Sequence, residues 1–94
     1  MKYLVSVEDS IRDILSTPIG SRVMLPEYGS HLFELIDRRV NDEFRADLSY
    51  FVIEAVQRWE KRVQIDEVKL ISFKDHKLSF KIVLTNGKEI GVEL

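Results

Sequence analysis

The sequence contains no cysteine, which excludes a disulfide framework, a thiolate metal site and a cysteine nucleophile. Two prolines and four glycines are too few for a low-complexity or disordered chain. The two histidines, His31 and His76, have no cysteine or further histidine at ligand spacing, so no metal site is expected. No apolar run approaches the roughly 20 residues needed to span a bilayer. Residues 1–10 carry Glu8 and Asp9 where a signal peptide would be apolar. Neither sign of charge dominates, since 14 Lys and Arg against 16 Asp and Glu leave a formal net charge of −2. The arginines at 38, 39, 45, 58 and 62 alternate with Asp37, Asp42, Glu43, Asp47, Glu54 and Glu60, so the basic face of a nucleic-acid binder is missing.

What remains is an ordinary globular composition, 45% hydrophobic and 32% charged over 94 residues, expected to make one domain over 1–94. A chain of this size has room for one core and little room for a deep substrate pocket. No cofactor, membrane or small-molecule substrate is expected.

Periodicity divides the chain in two. Ser6 is placed to cap a first helix, with Val7, Ile11, Ile14 and Leu15 on one apolar face. Thr17-Pro18 ends it, because the residue before proline is pushed out of the helical region. The stretch 19–28 is an irregular connector in which Val23, Met24 and Leu25 can add a short extended piece. Ser30 is expected to cap a short second helix bearing Leu32, Phe33, Leu35 and Ile36. A third and longest helix starts at Asn41 or Asp42, with Phe44, Leu48, Phe51, Val52, Ala55, Val56, Trp59 and Val63 at steps of three and four. From Gln64 the period changes to two. A strand from about Val68 to Phe73 contains the adjacent pair Leu70-Ile71, the mark of a bulge or of burial on both faces. Asp75-His76 is the turn to a strand bearing Leu78, Phe80, Ile82 and Leu84. Asn86-Gly87 signals a two-residue hairpin to a last strand with Ile90, Val92 and Leu94. The predicted fold is α+β: N-terminal helices, then a three-stranded antiparallel meander, with a short extra strand allowed.

Two stretches carry a family resemblance. Ser10-Ile11-Arg12-Asp13-Ile14-Leu15-Ser16-Thr17, then Gly20-Ser21-Arg22, then Pro26-Glu27-Tyr28-Gly29-Ser30-His31-Leu32 resembles the baseplate wedge family of contractile phages. That family includes protein W-like subunits and the matching subunit of the type VI secretion baseplate. There, a helix ending in T-x-x-G-x-R leads into a P-x-Y/F-G-S-x-L turn. The second stretch is Trp59-Glu60-Lys61-Arg62-Val63, where the family often has Glu-Pro-Arg after an aromatic residue. Lys61 replaces the proline, so the helix has no built-in stop there.

The resemblance implies a structural subunit of the inner baseplate, with other wedge proteins and tail sheath subunits as partners, made in the host cytoplasm and residing in the virion tail. It implies partner contacts at Glu60, Lys61 and Arg62, and at Arg22, whose planar fork suits bidentate bonds to carboxylates. The alternative for Arg22 is an internal pair with Glu27 or a nearby Asp. Glu60 and Arg62 fall off the apolar stripe, so they are expected to be exposed, as a solvated charged face or as a pair that docks on a helical bundle of partner chains. The last strand pairs with one predicted neighbour, so its other edge, with Glu89, Gly91, Val92 and Glu93, is a candidate docking edge for a sheath arm. Cover by the stretch 1–5 is the competing arrangement. Ser30-His31 is not a catalytic pair, because adjacent helical residues do not face each other. No catalytic residue is assigned. Relatives have been labelled tail lysozymes, which would require two carboxylates in distinct environments, and no carboxylate lies in a plainly apolar stretch. An anti-adaptor-like regulatory module is the third reading.

Overall fold

The computed structural model describes residues 6–94. Helix α1, Val7–Ser16, starts where the Ser6 hydroxyl accepts from the Asp9 N–H at 3.0 Å and stops at extended Thr17. Ile11, Ile14 and Leu15 are its buried face. Helix α2, Asp42–Trp59, is capped by Asn41, whose side chain accepts from the Phe44 N–H at 2.8 Å. Phe44, Leu48, Val52, Ala55 and Val56 are buried as its spacing predicts, whereas Phe51 is half-buried and packs beside His31. Glu60 ends α2 in an extended conformation; the absence of a proline at Lys61 does not lengthen the helix.

The expected second helix is a single 3₁₀ turn, Leu32–Leu35. Ser30 caps it only loosely, its hydroxyl accepting from the Leu32 N–H at 3.4 Å. The same hydroxyl donates to the Leu15 carbonyl at 2.9 Å and ties the turn back to α1. Pro18 and Ser30 form an isolated parallel bridge, with the Ser30 N–H on Thr17 O at 2.9 Å. Gly29 makes this crossing possible: its φ is +122°, and a Cβ there would lie 2.1 Å from Thr17 O. Val23 to Leu25 form no strand; Val23 and Met24 are 94% and 89% exposed.

Strands β1 (Ile65–Lys74), β2 (Lys77–Leu84) and β3 (Glu89–Glu93) form an antiparallel meander in the order β1-β2-β3. The register shifts between Leu70 and Ser72, so Ile71 is the extra residue of a bulge and is exposed, while Leu70 and Phe73 both turn toward the core. Asp75 and His76 both have positive φ, as a type I′ hairpin demands. The second hairpin differs from expectation. Only Gly87 has positive φ, the Gly87 N–H reaches Leu84 O, and the Leu84 N–H reaches Lys88 O at 2.8 Å. This is a three-residue loop, Thr85-Asn86-Gly87, with glycine in the left-handed position. On β2, Leu78, Phe80, Ile82 and Leu84 are all buried. They join Ile90, Val92 and the buried residues of both helices in one core. Phe44 stacks on Phe73 at 5.3 Å, linking α2 to β1.

Candidate functional site

The end of α2 gathers three of the four residues expected to meet partner chains, in an arrangement that the sequence did not reveal. Glu60 is not exposed: it retains 4% of its surface. Its carboxylate accepts from Arg62 Nε at 2.9 Å, from Arg62 Nη2 at 2.8 Å and from the Arg62 backbone N–H at 3.1 Å. Ser10 on α1 donates a further side-chain bond. A carboxylate fixed by this many donors is stabilised in its charged form. The Arg62 hydrogen bond is the largest influence and outweighs burial, and the Glu60 pKa falls to about 2. The bidentate fork also fixes the guanidinium, whose side chain remains 50% exposed. Glu60 is therefore the buried anchor and Arg62 the presented group. Lys61 lies exposed between them.

Arg22 belongs to a neighbouring cluster. Its guanidinium bonds both Asp13 oxygens at 3.3 Å and lies 4.6 Å from the Tyr28 ring centre. The internal pairing is thus with an Asp, while Glu27 pairs with Arg58 at 3.7 Å. The Tyr28 hydroxyl donates to the Asp13 carboxylate. Burial, then the Asp13 bond and charge, raise the Tyr28 pKa to about 12. The Tyr28 ring meets Trp59 edge-on at 5.1 Å, and Arg58 lies over Trp59 at 5.6 Å. Ser10 and Asp13, one turn apart on the same flank of α1, thereby connect the Glu60–Arg62 fork to the Arg22–Tyr28–Trp59 stack. Surfaces rich in Trp, Tyr and Arg supply most binding hot spots. Of these residues, Ser10, Asp13 and Arg58 were missed at the sequence level, because nothing local marks a helix flank as the partner of residues in other segments.

The second candidate site is the outer edge of β3. Leu78 and Leu94 exchange both backbone bonds, at 3.2 and 2.8 Å. Antiparallel pairs alternate between bonded and non-bonded, so Val92 and Ile90 bond to β2 through their pairs Phe80 and Ile82. Glu89, Gly91 and Glu93, opposite Val83, Lys81 and Ser79, then aim their N–H and C=O groups away from the sheet. Val92 does not share this role: its side chain is in the core and its N–H is spent within the sheet. No further strand pairs with β3 among the described residues; cover by the stretch 1–5 lies outside them.

Among the described residues no group of acidic or histidine side chains is arranged to hold a metal ion, and no helix is long and apolar enough to cross a membrane. The hollow beside Pro18, Ile19, His31 and Phe33, about 320 Å³, is open to solvent and holds one carboxylate, Glu34, bonded to His31 at 2.6 Å.

Comparison with known proteins agrees with this architecture. The profile of the family described as baseplate wedge protein gp25 matches residues 2–86. Baseplate protein W of Escherichia phage P2 is 40% identical over 65 residues, covering 69% of this chain and 56% of that protein. The match thus spans little more than half the length of that relative. A chain of the post-contraction baseplate of pyocin R2, seen by cryo-electron microscopy, superposes with a TM-score of 0.74 at 30% identity, covering 90% of this chain and 86% of that one. A protein of Geobacter sulfurreducens with the provisional label tail lysozyme superposes with a TM-score of 0.74 at 24% identity, covering 99% and 92%; that likeness is one of fold. The fold and these matches define a baseplate component of contractile tails. The chain belongs to the baseplate wedge protein gp25 family.

Proposed function

We propose that this chain is a non-enzymatic structural subunit of a contractile tail or phage-like injection machine. It docks on other wedge chains through the end of α2 and offers the β3 edge to an extended arm of a sheath subunit, so that sheath assembly starts there. Assembly takes place in the host cytoplasm, and the mature location is the tail baseplate. The observation that carries the reading is the pair of presented surfaces flanking α1. At one, Arg62 is held rigid by a buried carboxylate, with Lys61 and Arg22 nearby. At the other, the backbone of Glu89, Gly91 and Glu93 has outward hydrogen-bonding groups. Strand addition to such an edge draws affinity from main-chain bonds and register from alternate side chains.

A lysozyme reading would need a carboxyl kept protonated near neutral pH as general acid. The one buried carboxylate among the described residues, Glu60, has its pKa moved the opposite way. Family membership favours the wedge over a regulatory anti-adaptor.

The test is a proline in the edge. The Val92 N–H bonds within the sheet, so proline there would damage the fold. Glu93→Pro removes an outward N–H and leaves the β2 ladder whole. Tails assembled with Glu93→Pro should contain complete baseplates that carry no sheath. Normal sheath growth from them would refute the edge assignment.

A further inference from the structure

The outer edge of β3 is not bare. Arg12, from α1, donates through Nε to the Gly91 carbonyl at 3.1 Å. Gly91 is the middle residue of the three whose backbone faces outward, so this carbonyl is the central acceptor that an added strand would use. One turn earlier on the same flank of α1, Glu8 reaches Lys88 at 3.3 Å, just before β3 begins. Two side chains four residues apart thus strap α1 along the edge. The helix lies on the core side of the sheet, because Ile11, Ile14 and Leu15 share one core with Ile90 and Val92. The other flank of α1 carries Ser10 and Asp13, which serve the α2 site.

We propose that Arg12 is an intramolecular cap on the docking edge, occupying the Gly91 carbonyl in the free subunit until an incoming strand displaces it. This rests on the reading of the β3 edge as the place where a sheath arm adds. An unprotected edge pairs with any extended chain, including the same edge on a second copy of this protein. A side-chain donor on the central carbonyl makes such pairing compete against an existing bond, and a strand that forms the full ladder overcomes it. The arrangement suits displacement. Arg12 is about half exposed, and Asp9 lies 3.9 Å from its Nη1, so a released guanidinium has water and a carboxylate at hand. Gly91 has no side chain, and nothing lies within 4 Å of where a Cβ would be, so the sheet face beside this carbonyl is uncrowded.

The experiment titrates the purified sheath subunit of the same tail onto the isolated full chain and follows self-association by sedimentation. Arg12→Ala, which leaves the core untouched, should bind the sheath subunit about three- to tenfold more tightly than wild type, the range given by one intramolecular hydrogen bond. It should also self-associate at lower concentration. Adding Glu93→Pro to Arg12→Ala should abolish both gains. If Arg12→Ala binds equally or more weakly while Glu93→Pro alone abolishes binding, the edge stands as the docking site and the cap is refuted. If Glu93→Pro leaves sheath binding at wild-type affinity, the edge reading falls and the cap with it.

Discussion

Glu60 is the residue whose structural position departs most from its sequence appearance, and Glu60→Ala tests that position directly. The substitution removes the acceptor of three bonds from Arg62 and one from Ser10, and it opens a small void where the carboxylate is buried. Hydrogen bonds to a charged group contribute about 1.5–3 kcal/mol when well shielded. Here the Arg62 guanidinium is half exposed and hydrates readily, which moves the cost to the lower end, about 1–2 kcal/mol. For a chain of this size that lowers the melting temperature by roughly 5–15 °C. The pH dependence carries a second signature. The folded pKa of Glu60, about 2, lies below its ordinary value of 4.5. A depressed carboxylate contributes stability that is fully present above the unfolded pKa and is lost as pH falls toward the folded one. The gap between wild type and Glu60→Ala, measured by urea denaturation, should therefore be full at pH 7 and shrink progressively from about pH 4.5 to pH 2. A gap below about 0.5 kcal/mol at pH 7, the scale of ordinary surface substitutions, would show that Glu60 is a solvated charge after all. A gap that stays constant down to pH 2 would show that the carboxylate's charge is not what matters. Reversing the charges of this pair is accordingly no neutral probe of docking, because it disturbs the fold that presents Arg62.

Gly29→Ala should be severely destabilising, by more than about 3 kcal/mol, since it places a Cβ on the Thr17 carbonyl at positive φ; a melting temperature within a few degrees of wild type would mean the α1 crossing is misplaced. Phe44→Ala should cost about 3–5 kcal/mol, while half-buried Phe51→Ala should cost markedly less; equal losses in thermal melts would contradict the orientation of α2. Tyr28, with its pKa raised from 10 to about 12, contributes stability present below pH 10 and lost as pH rises toward 12. Tyr28→Phe should flatten that alkaline limb, and an unaltered limb would remove Tyr28 from the Asp13 cluster.

The parts of the fold legible in the sequence were those fixed by local rules. Ser6 and Asn41 cap their helices, Thr17-Pro18 ends α1, and Leu78 to Leu84 alternate in and out as written. Asp75-His76 is legible as a turn, and of the two arrangements open for Leu70-Ile71, a bulge or burial on both faces, the strand adopts the bulge. The Asn86-Gly87 turn differs only in loop length, and most other misplaced features depend on contacts that the periodic pattern does not show. Ser30 caps the 3₁₀ turn loosely through the Leu32 N–H, and its hydroxyl also reaches the Leu15 carbonyl, fifteen residues away. Glu60 lies off the apolar stripe of α2, yet Arg62 and Ser10 supply enough donors to bury its charge. Val92 lies between Gly91 and Glu93 in sequence, but strand order and hydrogen-bond phase, which separate it from them, have no local signature. Arg12 has no local signature for the same reason, being a helix residue whose partner is a backbone carbonyl in β3.

The most direct test of a subunit that docks at one end and starts sheath at the other is site-specific photocrosslinking in assembled tails. Photoreactive residues would be placed singly at exposed positions 61 and 93, with cross-linked chains identified by mass spectrometry. Position 61 should capture other wedge chains, and position 93 should capture an extended segment of a sheath subunit. Capture of sheath from position 61 and of wedge chains alone from position 93, or incorporation into intact tails with no inter-chain product at either position, would contradict it.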